Sequence, residues 1–127
     1  MIDAIKVFNK TLMEFIEDLI FICPDIPDLR VFHSTARLCN NLDEKFSLGL
    51  FSACVTVPYK DLIFNKDEQF FLKENYNEYQ PYMLQYGTDL NIVEKLKSIW
   101  KELDDENKEK VWKYLQALII LNNRCNN

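Results

Sequence analysis

Glycine and proline are scarce in this sequence, which has two glycines and four prolines among 127 residues. All-β chains need a turn about every ten residues, so this scarcity favours helices joined by short links. The two glycines, Gly49 and Gly87, are also too far apart to form a Walker A loop or a dinucleotide-binding fingerprint. The sequence therefore predicts an all-α chain without these phosphate-binding loops.

Residues that commonly bind metals are also few. There is one histidine, and the cysteines are widely spaced with no C-x-x-C pair: Cys23, Cys39, Cys54 and Cys125. This spacing indicates neither a zinc knuckle nor a redox motif. We interpret the cysteines as small buried apolar residues in a reducing intracellular compartment. A disulfide stays open as an alternative if the protein is exported or packaged.

Catalytic signatures are lacking as well. The one histidine, His33, falls near Leu29 and Ala36 on a predicted helix face, which is more typical of a partly buried structural histidine. The sequence has no local signature of Cys–His or carboxylate catalysis. It also has no EF-hand loop, because the required central glycine is missing. We therefore expect a non-enzymatic protein with no catalytic residue, cofactor, metal or small-molecule substrate. A small enzyme using Cys–His or carboxylate chemistry is the least favoured hypothesis.

The charge balance and the hydrophobic runs exclude two further classes. The net charge is −5 and the pI is about 4.9, whereas nucleic-acid binders usually carry a basic footprint. No segment approaches the roughly 20 apolar residues that span a bilayer. Acidic residues interrupt the apolar residues of the N-terminal segment, which is not typical of a signal peptide. We therefore expect no membrane span, and we disfavour nucleic acid as a partner.

Hydrophobic residues are abundant, at 48% of the chain, and they recur at helical spacing. The periodicity predicts one domain over residues 1–127, a compact bundle of about five to seven helices. It should end in an antiparallel helical hairpin centred on Trp100 and Trp112, because the link between the last two helices is short. The predicted helices cover residues 2–23, 27–40, 41–57, 59–64, 67–73, 88–103 and 104 onward.

Three details of the middle of the chain carry specific expectations. Asn41 and Glu44 have the spacing of a capping box that would open the third helix, and Pro58 would end it. Gly49 within that helix suggests close helix packing. The second helix is apolar on two sides, with Val31 and Leu38 nearly opposite its main face, which predicts that it is sandwiched between neighbours.

The strongest candidate for an interaction surface is a tyrosine-rich segment, residues 76–86. It contains Tyr76, Tyr79, Tyr82 and Tyr86 in an irregular stretch. Tyrosine suits interfaces because its ring makes apolar contact while its hydroxyl bonds to a polar partner. The alternative is that these rings fold back over the core of the domain itself.

Apolar residues outside the helical stripes provide a second indication of contact. Val7 and Phe21 fall on the polar side of the first helix, and Ile120 falls opposite the main stripe of the last helix. One exposed apolar residue needs no explanation, but three on the two longest helices favour a partner or an oligomer. We therefore predict that Phe21 and Ile120 contribute to protein binding.

Three stretches of the sequence together resemble a known family. They are VFNKTLMEFIEDLIFICPD (7–25), VPYKDLIFNKDEQFFLKENYNEY (57–79) and IWKELDDENKEKVWKYLQALIILN (99–122). In combination they resemble small helical proteins encoded by large nucleocytoplasmic DNA viruses of algae and protists. The resemblance covers nearly the whole chain but supplies no catalytic motif.

The resemblance implies a virus-encoded structural or interaction protein. Such a protein would be a minor virion or capsid-associated component, located in the host cytoplasm or the virion, with other virion proteins or itself as partner. The alternative is a regulatory adaptor for viral or host transcription, replication or signalling machinery.

Overall fold

The structure is a computed structural model that describes residues 3–69 and 92–126. These residues form helices, and they contain no strand, so the predicted all-α class is confirmed. The α-helices are α1 (Ala4–Ile22), α2 (Pro27–Leu42), α3 (Phe46–Phe51), α4 (Val57–Phe64), α5 (Ile92–Ile99) and α6 (Asp105–Asn126). A π-helix (Ser52–Thr56) joins α3 to α4, and a 3₁₀ turn (Trp100–Glu102) follows α5. No helix within the described ranges is long and apolar enough to cross a membrane.

Helix α1 begins and ends as its sequence predicts. The carboxylate of Asp3 accepts hydrogen bonds from the backbone N–H groups of Ile5 (3.1 Å) and Lys6 (3.4 Å), which caps the helix. The helix ends before Cys23 and Pro24. Its apolar stripe is fully inside the bundle and comprises Phe8, Leu12, Phe15, Ile16 and Leu19.

Helix α2 is buried on one side only within the described part of the molecule. Pro27 occupies its first turn, where the missing N–H costs nothing, and Leu29, Phe32 and Ala36 face the core. Val31 and Leu38 lie on the opposite side and are more than half exposed. The predicted sandwich is therefore not formed by residues 3–69 and 92–126.

The third helix differs from its prediction at both ends. Asn41 lies inside α2, and Lys45 precedes α3 without a side-chain cap, so the predicted capping box is wrong. Pro58 does not end the helical run, which continues from α3 through the π-helix into α4. The π-helix widens the backbone spiral just before the proline, and Pro58 then occupies the first turn of α4, where its missing N–H is tolerated.

Gly49 was expected to mark close helix packing, and this expectation is wrong. A Cβ atom added at Gly49 would meet no atom within 4 Å, and the residue is exposed. Gly49 therefore carries a helix penalty without a packing benefit in the structure.

The core is closed by helices from the two ends of the chain. Helix α1 packs along α6, with the rings of Phe15 and Tyr114 stacked at 4.9 Å between centroids. Asp3 lies near Cys125 while Asp18 bonds to Tyr114, so the two helices are antiparallel. Asn122, fully buried, donates from Nδ2 to the Leu48 carbonyl oxygen at 3.1 Å.

The last two helices meet at their tryptophans, as expected. The rings of Trp100 and Trp112 are in edge contact at 5.2 Å between centroids. Trp100 also donates from Nε1 to a Glu68 carboxylate oxygen at 3.0 Å. Asp104 accepts from the Asn107 backbone N–H at 2.8 Å, which fixes the start of α6. The antiparallel orientation of α5 and α6 stays a prediction.

Candidate interaction surfaces

The predicted interaction residues divide into two groups. Tyr76, Tyr79, Tyr82 and Tyr86 lie outside the described residues. Phe21 and Ile120 both point outward, with 86% and 45% of their surfaces exposed. Val7, the third out-of-register residue, is half-buried, because it lies nearer the core-facing side of α1 than Phe21 does. The part that Phe21 and Ile120 play in binding stays a prediction.

Phe21 stands on an acidic side of the molecule. Residues 11–29 contain no lysine or arginine and five carboxylates, namely Glu14, Glu17, Asp18, Asp25 and Asp28. Two of these carboxylates lie beside side chains of neighbouring helices. Glu17 Oε1 lies 3.4 Å from His33 Nε2, and Asp18 accepts a hydrogen bond from the Tyr114 hydroxyl at 2.5 Å. The Asp18 bond, with burial and the charges of Asp18 and Glu14, raises the pKa of Tyr114 to about 12.

Ile120 belongs to a different surface, at the edge where α6 meets α4. Gln116 donates from Nε2 to the Ile63 carbonyl oxygen at 3.2 Å, and Asn123 lines an open groove beside α4. Ile120 is four positions after Gln116 and three before Asn123, so the three side chains share one side of α6. The groove has a volume of about 670 Å³ and is lined by Thr56, Val57, Pro58, Lys60, Asp61, Leu62 and Asn123.

The surface around this groove is partly apolar and partly basic. Val57 is 69% exposed, and Phe64, one heptad later on the same side of α4, is exposed as well. From residue 110 onward α6 contains no acid, and its charged residues Lys110, Lys113 and Arg124 are all exposed. On a chain of net charge −5 this is a local excess of positive charge.

A third surface runs along the outer side of α2. Val31, Thr35, Leu38 and Leu42 follow one another at spacings of four, three and four, which places them in one narrow row. Leu42 is 82% exposed, the largest fraction in this row. Ser34 and Asn41 lie next to this row, and the exposed Arg30 and Arg37 lie one row further around the helix.

Sequence reasoning missed Leu42 and Val57 for the same reason. Both were assigned to one predicted helix over residues 41–57, whereas the structure places Leu42 at the end of α2 and Val57 at the start of α4. The signal for Leu42 was present in the four-three-four spacing after Val31. No comparable signal existed for Val57, because a π-helix before a proline has no sequence pattern of its own.

Burial raises the pKa of three of the four thiols. All four cysteines are free, and burial raises the pKa of the Cys54 thiol to about 11. Burial, with a smaller effect of a nearby carboxylate, also raises the pKa of Cys23 and of Cys125. A thiolate is the reactive form, so these shifts suppress nucleophilic chemistry at neutral pH.

His33 is partly buried, as expected, and its close charged neighbour is Glu17 of α1. Within residues 3–69 and 92–126 no group of three or more His, Cys, Asp or Glu side chains could hold a metal ion. A small apolar cavity of about 20 Å³ lies beside Cys54, between α1, α2, α3 and α5. That volume accommodates about one water molecule, not an organic substrate.

Comparison with protein-family models, with curated proteins and with solved structures finds no match to this chain. The resemblance to viral helical proteins is thus neither supported nor opposed, and stays a prediction.

Proposed function

We propose that this chain is a non-enzymatic protein-interaction domain that binds an amphipathic helix of another protein along the outer side of α2. The observation that carries the proposal is the exposed row of Val31, Leu38 and Leu42. Its four-three-four spacing is that of a coiled-coil seam, which buries its apolar side chains only against another helix.

The charges beside the row specify the partner's chemistry. Arg30 and Arg37 lie about 100° around α2 from Val31 and Leu38, beyond Ser34 and Asn41, and neither arginine is buried. A partner helix with aspartate or glutamate beside its apolar seam would meet these guanidinium groups, which bind carboxylates well. Asp28, at the start of α2, is already paired with Lys95 of α5 and would not repel such a helix.

Site-specific photo-crosslinking in cells that contain the protein tests the proposal. A photoreactive amino acid replaces Leu38, and in a matched control it replaces Lys10, which is exposed on α1. We expect residue 38, and not residue 10, to crosslink to a helical peptide of a second protein that carries acidic residues beside an apolar seam. Mass spectrometry of the crosslinked peptide identifies the partner sequence.

Charge reversal supplies the second arm of the test. Arg37→Glu should lower the crosslink yield from residue 38 several-fold, since it places like charges side by side, whereas Lys10→Glu should leave the yield unchanged. Equal yields from residues 38 and 10 would contradict the proposal. So would a crosslink from residue 38 only to residues 70–91 of the same chain, since the row would then be covered internally.

The resemblance to viral proteins leads to an expectation about the identity of the partner. If the chain is a minor virion component, the crosslinked protein is a virion protein, and the domain is present in purified particles. If it is a regulatory adaptor, the partner belongs to transcription, replication or signalling machinery, and purified particles lack the domain.

A further inference from the structure

Phe21 has the form of a side chain that inserts into another molecule. It is the most exposed large hydrophobic residue in the described part of the chain, and it is the next-to-last residue of α1. Carboxylates surround it along the helix, with Asp18 and Glu17 three and four positions earlier. The feature is thus one aromatic ring in an acidic setting.

The α4–α6 groove has the complementary features. Val57, Pro58 and Leu62 give it apolar walls, and Ile120 extends the apolar surface along α6. Its volume of about 670 Å³ lies within the range of pockets that enclose aromatic groups. Inside the groove Lys60 and Asp61 offset each other, and the exposed Arg124 follows the groove-lining Asn123.

The two surfaces carry opposite charge. Residues 11–27, around Phe21, carry four carboxylates and no basic residue. Residues 113–124 of α6, which include the groove-lining Asn123, carry two exposed basic residues and no carboxylate. Such a pairing favours contact between the two surfaces and disfavours contact of either surface with itself.

The two surfaces lie on different sides of the molecule. Helix α6 contacts α1 through Tyr114 and α4 through Gln116, and these side chains, two positions apart, point about 200° from each other around the helix. The ring of Phe21 therefore cannot reach the groove of its own chain while α1 and α4 flank α6. A second copy can supply it.

We infer that this chain associates head to tail with copies of itself, the Phe21 ring of one copy entering the α4–α6 groove of the next. The contact is heterologous, so each added copy leaves one free Phe21 and one free groove, and the assembly grows as an open chain or closes as a ring. The contact patch is small, which makes the association dependent on concentration and weakened by salt. The inference rests on the proposed function only in assuming that the chain acts by protein contact. It uses residues outside the α2 row.

Two variants and their mixture test the inference by analytical ultracentrifugation. Phe21→Ala removes the inserted ring and keeps the groove, whereas Val57→Glu damages the groove and keeps the ring. We expect the wild-type mass to rise with protein concentration beyond a dimer, and each variant alone to stay monomeric. An equimolar mixture of the two variants should form a dimer and nothing larger, because one intact ring then meets one intact groove.

Controls separate this result from misfolding and from the α2 surface. Both substituted residues are exposed, so far-ultraviolet circular dichroism of each variant should match the wild type. Leu38→Glu should assemble as the wild type does, even though it abolishes the partner contact proposed for α2. A wild-type chain that stays monomeric at the highest soluble concentration would overturn the inference. So would a mixture of the two variants that contains monomers only.

Discussion

The hydroxyl of Tyr114 links the last helix to the first, and it does so only while protonated. Its hydrogen bond to Asp18, followed by burial and the charges of Asp18 and Glu14, raises its pKa from 10 to about 12. Between these two values the unfolded chain releases the phenolic proton and the folded chain keeps it. The contribution of this group to stability is therefore complete below pH 10 and is lost as the pH rises through 12.

Tyr114→Phe isolates this contribution. We expect the wild type to exceed the variant in free energy of unfolding by a constant amount below pH 10, and the difference to shrink as the pH approaches 12. Urea unfolding followed by circular dichroism, at intervals from neutral pH upward, measures the difference. A gap that does not change with pH would show that the hydroxyl does not depend on Asp18 for its pKa.

Cys54 should be the least reactive of the four thiols. It is buried, and burial raises its pKa to about 11, so almost no thiolate is present at neutral pH. In native protein treated with iodoacetamide, we expect Cys39, which is half-buried, to be labelled well before Cys54. Peptide mass spectrometry follows each site over time, and labelling in urea should make the two rates equal. Equally fast native labelling would contradict the burial of Cys54.

The side-chain predictions that succeeded at this scale are those that depend on one helix alone. Helical periodicity alone places Phe21 and Ile120 on outward-facing sides, because the direction of a side chain around a regular helix is fixed by its position. The same reasoning expected Val31 and Leu38 to be covered. That expectation was wrong for the described residues. Burial of this side of α2 depends on whether another helix packs against it, and the periodicity of α2 does not contain that information.

Among the helices, α3 contains the clearest opportunity for stabilisation. Gly49→Ala should raise the free energy of unfolding by about 0.5–1 kcal/mol, because alanine restricts the unfolded chain and its Cβ meets no atom. Ala117→Gly, at an exposed position inside α6, is the matched control and should lower stability by a similar amount. Chemical unfolding of the three proteins measures both changes. Loss of stability in Gly49→Ala would indicate a packing contact at this position.

The continuous run from α3 to α4 shows where sequence reasoning at the level of elements ends. Prolines usually stop a helix, so Pro58 predicted a boundary after residue 57. The observed helix continues because the five residues Ser52–Thr56 form a π-helix before the proline. Several backbone hydrogen bonds must change together to form it. Local propensity identified the helix type correctly along most of the chain. It could not identify the π-helix, because the packing of neighbouring helices determines where a π-helix forms.

For the molecule as a whole, Asn122 is the polar side chain that ties α6 to the centre of the bundle. Asn122→Ala removes the donor to the Leu48 carbonyl oxygen in a site that water does not reach, and should cost about 1–3 kcal/mol of stability. Asn123→Ala, one residue away and only half-buried, should change stability by about 0.5 kcal/mol or less. Thermal or urea unfolding of both variants makes the comparison. Similar costs for the two would show that the Leu48 carbonyl finds another donor.

The pairing of α1 with α6 also determines when the domain can form during protein synthesis. The apolar stripe of α1 is made first, and the helix that packs along it most extensively is the last one described. Until α6 has left the ribosomal tunnel, the part of that stripe that α6 covers stays exposed to solvent or to a chaperone. We therefore expect stalled chains that end before Asp105 to remain protease-sensitive on the ribosome, and chains extended so that Asn126 has emerged to become resistant.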